Sequence, residues 1–590
     1  MTQFSNLRVS RRVFLRAAAT AGVGATALAL VGCGDDDDDQ PAPAAATDQQ
    51  QDLQEQPAAA QQQTQAQAQQ QAVSEADEQQ QQQQQTIAQQ EQQAQQQAAA
   101  PAQQAQQQQE QQSMVAETTG GTLRFSALGG GGSAIDPRNI YSVLAYHSMA
   151  SAFDFLALHG EDGLELGVAK SMTPNDDATK WTIHLRDDVR FHDGRPLHAE
   201  DIAFSIRFLG DWETSPYFAA GWADVDFESM AAVDDHTLEI PLFRPRADYL
   251  DAALALYTPV IPDGIDDLIL PNGSGPFRVA SNDQADGVEL IRNEDWWGPA
   301  PSLDGAVTIP INDSNARINA LKSGEIDFAY QLTPAIGLAE QDNPDIIVER
   351  STLGSTGLGF SMNTSFPPFD DPRLREAMKL AIDRQQMVNG VLLGQGEIGN
   401  DLMGLGMVGY NDRLPQRSRD LEQATALFAA AGISELSLVS SEVAPGLVAA
   451  SELLVGQLAE AGVTLTIEEV PPDAFFSDFA RILSTPLQTM YFVNRPPTVH
   501  LPSFLGSTAT FNPTAFATPE FDEALTAAQS TIDEAARDEH LLRAQEIEWA
   551  EGGSLIWGYS PMILAYAPHV SNVNLVSDGL VKFQDIVLSS

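Results

Sequence analysis

The stretch Trp181-Thr-Ile-His-Leu-Arg-Asp-Asp-Val-Arg-Phe-His-Asp-Gly-Arg-Pro-Leu-His-Ala-Glu-Asp-Ile202 carries the strongest structural signal in this chain of 590 residues. Apolar and polar side chains alternate from Trp181 to Arg186, which is the period of a β-strand. Val189 and Phe191 follow at a short distance, and His192-Asp193-Gly194 has the composition of a turn. The pattern therefore predicts a strand or a hairpin.

Helix and strand signals continue outward from this stretch through residues 118–590. Asp371-Pro372 and Thr518-Pro519 each place an N-cap residue before a proline at the first helical position. Gly324 has the position of a helix C-cap that leads into a strand over 326–330. Further predicted elements are a strand over 122–126, a helix over 453–461 and a strand over 463–467. The alternation predicts an α/β protein with wound sheets of βαβ units.

The net charge of −50 restricts the partners of the chain. It has 81 acidic and 31 basic side chains, and a nucleic-acid-binding protein needs a basic surface instead. The same charge argues against docking on an anionic lipid surface. The single cysteine, Cys33, excludes a disulfide framework within the chain and any CxxC zinc site. A length of 590 residues predicts several domains.

The N-terminal residues 1–33 have the features of an export signal. Ser10-Arg11-Arg12-Val13-Phe14-Leu15 is a twin-arginine motif, and an apolar run follows it. Leu30-Val31-Gly32-Cys33 resembles a lipobox, in which cleavage precedes the cysteine and its thiol is lipidated. We therefore expect an exported, lipid-anchored, extracytoplasmic protein. The alternative is a short transmembrane anchor with an incidental cysteine.

Residues 34–117 begin with an acidic run and are then rich in glutamine and alanine. Aromatic and β-branched residues are almost absent, so this segment cannot bury enough apolar surface to fold by itself. We expect a disordered tether that separates the core from the membrane. The alternative is a glutamine-rich tract that binds a partner or aggregates.

Motifs for catalysis, metal binding and phosphate binding are missing from the sequence. It contains no GxSxG elbow and no GxxxxGK[ST] loop. His184, His192 and His198 have spacings that match no standard set of zinc ligands. These features favour binding over catalysis, and we expect no enzyme activity, no cofactor and no metal site.

The stretch from Trp181 to Ile202 closely resembles the signature of family 5 solute-binding proteins, the extracytoplasmic dipeptide, oligopeptide and nickel receptors of ABC importers. Further segments match this family in the same order along 118–590. They are Gly273–Phe277, Leu290–Gly298, Ala320–Asp327, Asn363, Asp371–Ala377, Ala381–Arg384, Phe521-Asp522 and Gln545–Ile547.

The resemblance implies a two-lobed periplasmic-binding-protein fold of type II with an extra subdomain. Lobe I would comprise 118–353 with the subdomain at about 160–258, lobe II would comprise 354–556, and 557–590 would return to lobe I. The chain would cross between the lobes near 354–360 and 556–560. The protein, expected to be a monomer, would enclose a small solute by hinge closure and deliver it to a permease driven by an ATPase.

The resemblance weakens at the residues that would read a dipeptide. Receptors of this family hold the free amine of the ligand with an aspartate in a Trp-x-x-Asp segment. Tyr491 and Asn494 take the tryptophan and aspartate positions here, and a neutral amide cannot make the charge-assisted bond that an ammonium prefers. The arginine that binds the peptide carboxylate has no counterpart, because 420–479 contains no arginine or lysine. We expect a small polar ligand, such as a peptide, an opine-like compound or an oligosaccharide, rather than a plain dipeptide.

The resemblance also suggests which residues line the cleft. Arg495 would attract an anionic or hydroxyl-rich ligand if it points inward, or would pair with a surface acid if it does not. Tyr491 offers a stacking face and a hydroxyl, or belongs to the core. The remaining candidates are Tyr141, His500 and Trp557. A ligand-sensing receptor of the same fold without a transport partner is the alternative function.

Overall fold

The computed structural model describes residues 120–589, apart from 130–134, 139–142, 161–162, 212, 214, 216–218, 255–258, 266, 284–285, 476–477, 510 and 577–578. The described residues all belong to one compact unit. The predicted signal with Cys33, the predicted tether and Tyr141 lie outside the described residues.

The described part of the chain is a mixed α/β structure. Its strands are β1 (Thr122–Ala127), β2 (Ala157–Gly160), β3 (Gly163–Leu166), β4 (Ala169–Pro174), β5 (Lys180–Leu185), β6 (Ala231–Asp234), β7 (Thr237–Pro241), β8 (Phe277–Asp283), β9 (Gly287–Arg292), β10 (Gly305–Pro310), β11 (Phe328–Ala329), β12 (Ile347–Met362), β13 (Glu397–Ile398), β14 (Glu435–Ser440), β15 (Thr464–Glu469), β16 (Leu487–Val493), β17 (Ser554–Tyr566), β18 (Val570–Ser571) and β19 (Val587–Leu588).

The helices are α1 (Val143–Ala152), α2 (Ala199–Gly210), α3 (Ser314–Ser323), α4 (Pro334–Ala339), α5 (Pro372–Ala381), α6 (Arg384–Val391), α7 (Leu421–Ala431), α8 (Leu447–Glu460), α9 (Pro472–Phe475), α10 (Phe479–Ile482), α11 (Pro497–Phe504), α12 (Pro519–Ser530) and α13 (Glu534–Glu551). Short 3-10 or π turns occupy Ala219–Trp222, Leu250–Leu254 and Phe583–Asp585. Among the described residues, no helix has the length and apolar character that crossing a bilayer requires.

One sheet of eleven strands runs through the molecule in the order β15-β14-β16-β12-β17-β11-β1-β10-β9-β8, with β13 added beside β17. Among its described strands, four pairs are parallel, namely β1–β10, β1–β11, β14–β15 and β14–β16. The expectation of wound βαβ units therefore holds for these pairs and is wrong for the rest of the sheet, where antiparallel pairing dominates.

The two longest strands, β12 and β17, form the centre of this sheet. The first part of β12 pairs with the end of β17, which also pairs with β11. The last part of β12 pairs with β16. The β12–β17 register shifts between Ser351 and Thr356. Gly354 lies in this break with φ +70°, and a Cβ there would approach Gly579 Cα to 2.6 Å. The break is therefore the point where both strands pass from one half of the sheet to the other.

The quoted stretch contributes β5 to a second sheet, which has four strands in the order β4-β5-β7-β6. Its predicted alternation is confirmed, since Trp181, Ile183 and Leu185 are buried in one core with α2. Val189 and Phe191 are buried as well, but they do not extend the strand. The chain turns there instead, because Phe191 N donates to Arg195 O across a tight loop.

Separate apolar cores support the two halves of the large sheet. One contains Phe125 and Phe328 beside β1 and β11, and another contains Phe360 and Trp557 beside β12 and β17. A further core around Phe521 joins α11, α12 and α13. The four-stranded sheet has its own core, so the described chain is built from several packed units, two of which share the large sheet.

Candidate functional site

Four of the predicted site residues lie on the end of β16 or in the segment that turns into α11. Tyr491 lies on β16 opposite Leu358 of β12, and Asn494 and Arg495 follow the strand. The Asn494 N–H donates to Ser355 O at 2.8 Å, which anchors this turn beside the register break of β12. The candidate site therefore lies at the crossing between the two halves of the sheet.

Asn494 is fully buried and its amide is used within the protein. Its Oδ1 accepts a hydrogen bond from Gly404 N at 3.0 Å, and its Nδ2 donates to Leu405 O at 2.9 Å. Gly404 has φ +97°, and a Cβ there would come within 2.7 Å of Pro497. The side chain therefore holds the 404–405 loop under the start of α11.

Arg495 is only partly buried and its charge faces aromatic surroundings. Its guanidinium carbon lies 5.6 Å from the centre of the Phe504 ring. Within the part of the chain that the structure describes, Arg495 forms no ion pair with a carboxylate. The described residues therefore supply no carboxylate for the alternative of a surface ion pair, although acidic residues greatly outnumber basic ones in the sequence.

His500 forms the buried floor beside this arginine. It lies between Phe492 and Phe504, with ring centres 4.9 Å away in both cases. Burial, with a smaller effect from the charge of Arg495, lowers the pKa of His500 to about 3. Its Nδ1 has no hydrogen-bond partner among the described residues. His500 is therefore a neutral imidazole near pH 7 and adds no positive charge to the site.

Tyr491 and Trp557 belong largely to the core. Tyr491 is partly exposed and packs against the apolar cluster of its half of the sheet. Trp557 is fully buried in that cluster on β17. Its place in the core favours a packing role over ligand contact. Tyr141, the last candidate, has no described position.

Sequence reasoning missed the aromatic walls of the site and its underlying loop. Phe492 and Phe504 flank His500, and Tyr559 supports the loop from below by donating to Leu402 O at 2.5 Å. The alternation of β16 could have identified Phe492 as a neighbour of Tyr491 on the opposite face. The loop contact joins residues 157 positions apart and leaves no local signal.

A separate cluster of charged residues is formed by side chains within 379–548. Asp401 is fully buried and accepts from Arg384 at 2.5 Å and from Arg417 at 2.8 Å. Burial raises the pKa of the nearby Glu548 to about 8 and lowers that of Lys379 to about 8. The two arginines satisfy Asp401 inside the protein, so we assign this cluster a structural role.

A cavity of about 140 Å³ lies next to α1 and β3. Its buried acid, Asp154, accepts one hydrogen bond from Trp296 Nε1 at 3.1 Å and one from Trp297 Nε1 at 3.0 Å. Burial raises the pKa of Asp154 to about 6. This carboxylate is engaged by the protein itself, so the crossing between the halves remains the better candidate site. The described residues contain no cluster of His, Cys, Asp and Glu suited to a metal ion.

Comparison with known proteins gives the same fold. A structure of DppA from Helicobacter pylori in complex with the peptide STSA matches with a TM-score of 0.66 at 22% identity, over 80% of this chain and 99% of that one. The chain therefore has the two-lobed fold of periplasmic binding proteins.

Curated relatives match over a shorter length. The dipeptide-binding protein of Escherichia coli K12 is 26% identical over 298 residues, and haem-binding protein A of Haemophilus influenzae is 26% identical over 302. Each alignment covers 46% of this chain, and the chain spans about half the length of these relatives. The profile of the bacterial extracellular solute-binding proteins, family 5, matches residues 163–505. The chain belongs to this family.

Proposed function

We propose that the protein is the substrate-binding component of an ABC importer and has no catalytic activity. The central observation is the pair β12–β17, which passes between the two halves of the sheet next to Arg495 and Asn494. Two strands are a suitable hinge, because a small change at their register break rotates one half against the other. Closure would enclose one solute, and the closed form would deliver it to a permease driven by an ATPase.

The lobe boundaries follow from this proposal. Lobe I comprises 118–353, with the subdomain at about 160–258, and lobe II comprises 354–556. Residues 557–590 return to lobe I. The register break of β12 between Ser351 and Thr356 supports a crossing near 354–360.

The N-terminal region would determine where the receptor works. Residues 1–33 act as a twin-arginine lipoprotein signal, Cys33 carries the lipid, and 34–117 form a disordered tether. The receptor domain is then held outside the cytoplasmic membrane next to its permease, as a monomer. The basis is the order of arginine pair, apolar run and single cysteine.

The ligand is a small polar solute that carries a carboxylate or several hydroxyl groups. Arg495 binds it, because a guanidinium without a carboxylate partner among the described residues gains most from a planar anion or a pair of hydroxyls. Tyr491 contributes a ring face, and Tyr141 contacts the ligand from lobe I. Asn494, His500 and Trp557 shape the site: Asn494 through the 404–405 loop, His500 as a neutral floor and Trp557 through the core.

A peptide, an opine-like compound and an oligosaccharide all satisfy this description, whereas a plain dipeptide also needs an acid for its amine. The relatives do not narrow the class further, because their names include both a dipeptide and haem. The decisive experiment is mass spectrometry of the purified full chain before and after mild denaturation. We expect one small solute per chain. If no solute is released and no peptide, opine or oligosaccharide raises the melting temperature, the proposal is wrong.

A further inference from the structure

The C-terminal end of α12 contacts a segment that is attached to the four-stranded sheet. Residues 244–248, called the strap here, follow the four-stranded sheet and are attached to it. Trp181 Nε1 donates to Arg246 O at 2.8 Å, and Arg246 N donates to Ala178 O at 2.8 Å. The helix α12 instead packs with α11 and α13 around Phe521. The contact therefore joins two separate cores.

The strap binds the end of α12 through Gln529. Ala247 N and Asp248 N donate to Gln529 O at 2.5 and 3.4 Å. Arg244 Nη1 donates to Gln529 Oε1 at 2.9 Å. The last carbonyls of a helix have no partner within the helix, and its C-terminal end carries partial negative charge. The strap supplies both N–H donors and a cation to this end.

A buried ion cluster gives the strap its shape. Arg246 binds Asp248 through two hydrogen bonds, at 2.7 and 3.0 Å, and also contacts Asp224. Asp224 in turn accepts two hydrogen bonds from Arg244, at 2.8 and 2.9 Å. Both Arg246 and Asp248 are buried. The donors that face Gln529 are therefore held in position by groups on their own side of the contact.

We propose that the strap and Gln529 form a latch that stabilises the closed receptor, a statement that rests on hinge closure in the proposed function. Opening would separate the two cores, expose the α12 carbonyl and the Gln529 amide to water, and break the hydrogen bond from Arg244 to Gln529. None of the latch contacts involves the ligand, so the latch sets the fraction of the ligand-free receptor that is closed. By linkage, it also changes the apparent ligand affinity by the same factor as the closed population.

The latch can be tested by measuring closure in the absence of ligand. Glu228 beside the four-stranded sheet and Ala535 on α13 are exposed, so spin labels on Glu228→Cys and Ala535→Cys report the separation of the two units. The full chain carries Cys33→Ser, which removes its single native cysteine. Ligand is first removed by mild denaturation and refolding. Pulsed electron–electron double resonance then gives the populations of short and long distances between the two spin labels.

We expect Gln529→Ala to raise the ratio of long to short separations about tenfold or more, the effect of losing one charge-assisted hydrogen bond. Arg244→Ala should have the same effect, and the double variant should add little to either single change. Arg413→Ala, an exposed arginine paired with Glu539, is the control and should leave the distribution unchanged.

Gln529→Ala leaves the ion cluster of the strap intact, so its result is independent of any damage that Arg244→Ala does to folding. An unchanged distance distribution in Gln529→Ala, or a refolded parent chain without a short separation, overturns the latch. Neither outcome bears on the proposed function, since the receptor can still bind a solute and close around it without this contact.

Discussion

Two arginine environments in the same half of the molecule differ in burial and in carboxylate pairing. Arg384 is buried, Arg417 is largely buried, and both bind Asp401, which is itself fully buried. Arg495 is partly exposed, faces the ring of Phe504 and has no carboxylate partner among the described residues. The first two guanidinium groups share a carboxylate that the fold supplies. The charge of Arg495 is left for a group that the folded chain does not supply.

This difference separates stability from binding. A buried ion pair that loses one partner leaves an uncompensated charge, so Asp401 should contribute strongly to stability. Removing a partly solvated guanidinium that lies over an aromatic ring should cost the ligand-free protein little stability. Its contribution should be measurable as binding free energy when a ligand is present. The predictions below test the two environments separately.

The largest expected effect concerns Asp401. Replacing it by Asn should lower the free energy of unfolding by about 3–5 kcal/mol, because the buried Arg384 and the largely buried Arg417 lose the carboxylate that they share. Urea unfolding of the full chain measures this change. Glu539→Gln is the matched control, since Glu539 is an exposed acid paired with the exposed Arg413, and it should change stability by less than about 0.5 kcal/mol. A loss below about 1 kcal/mol for Asp401→Asn would contradict a structural role for the cluster.

The next effect is a pH dependence from Glu548. Its folded pKa is raised to about 8 from an ordinary value of 4.5, so the folded state binds a proton that the unfolded state has released between these limits. The contribution of Glu548 to stability is therefore present below about pH 4.5 and is lost as pH rises to about 8.

Glu548→Gln should remove this dependence. The difference in unfolding free energy between variant and parent should shift in favour of the variant by about 1 kcal/mol per pH unit from pH 5 to 8. Urea titrations at several pH values provide the measurement. A difference that stays constant with pH would mean that Glu548 ionises normally in the folded protein.

A smaller effect of opposite sign is expected from His500 beside Arg495. Its folded pKa is lowered to about 3 from an ordinary 6.5, so the unfolded chain binds the proton first. The contribution of His500 is present above about pH 6.5 and is lost as pH falls towards 3. His500→Phe should keep the aromatic packing and make the protein less sensitive to acid by about 1 kcal/mol per pH unit between pH 6 and 4.5. Equal acid sensitivity of variant and parent in thermal unfolding would exclude this role.

Local signals in the sequence were sufficient for many elements. Asp371-Pro372 and Thr518-Pro519 begin α5 and α12 with the predicted side-chain caps. Gly324 ends α3 with φ +75°, also as predicted. These features depend on a few adjacent residues. The strand predicted over 326–330 is shorter, because only Phe328–Ala329 finds partners in β1 and β17. Strand length depends on distant neighbours that local patterns do not reveal.

The candidate site shows the same limit. The resemblance to family 5 identified the segment from Tyr491 to Arg495, and Arg495 lies at the crossing of the sheet. The sequence could not show that Asn494 holds Gly404 and Leu405, because that contact spans about 90 residues. It also left Trp557 as a candidate, since burial in a core depends on the packing of several strands and helices.

The central claim is that Arg495 belongs to the ligand site and not to the fold. Isothermal titration of the released solute against the full chain tests it most directly, with the parent, Arg495→Ala and the exposed control Arg413→Ala compared. We predict 1:1 binding that weakens about tenfold or more in Arg495→Ala, with unfolding free energy within about 1 kcal/mol of the parent and normal binding in the control. Equal affinity of Arg495→Ala and the parent would contradict the claim.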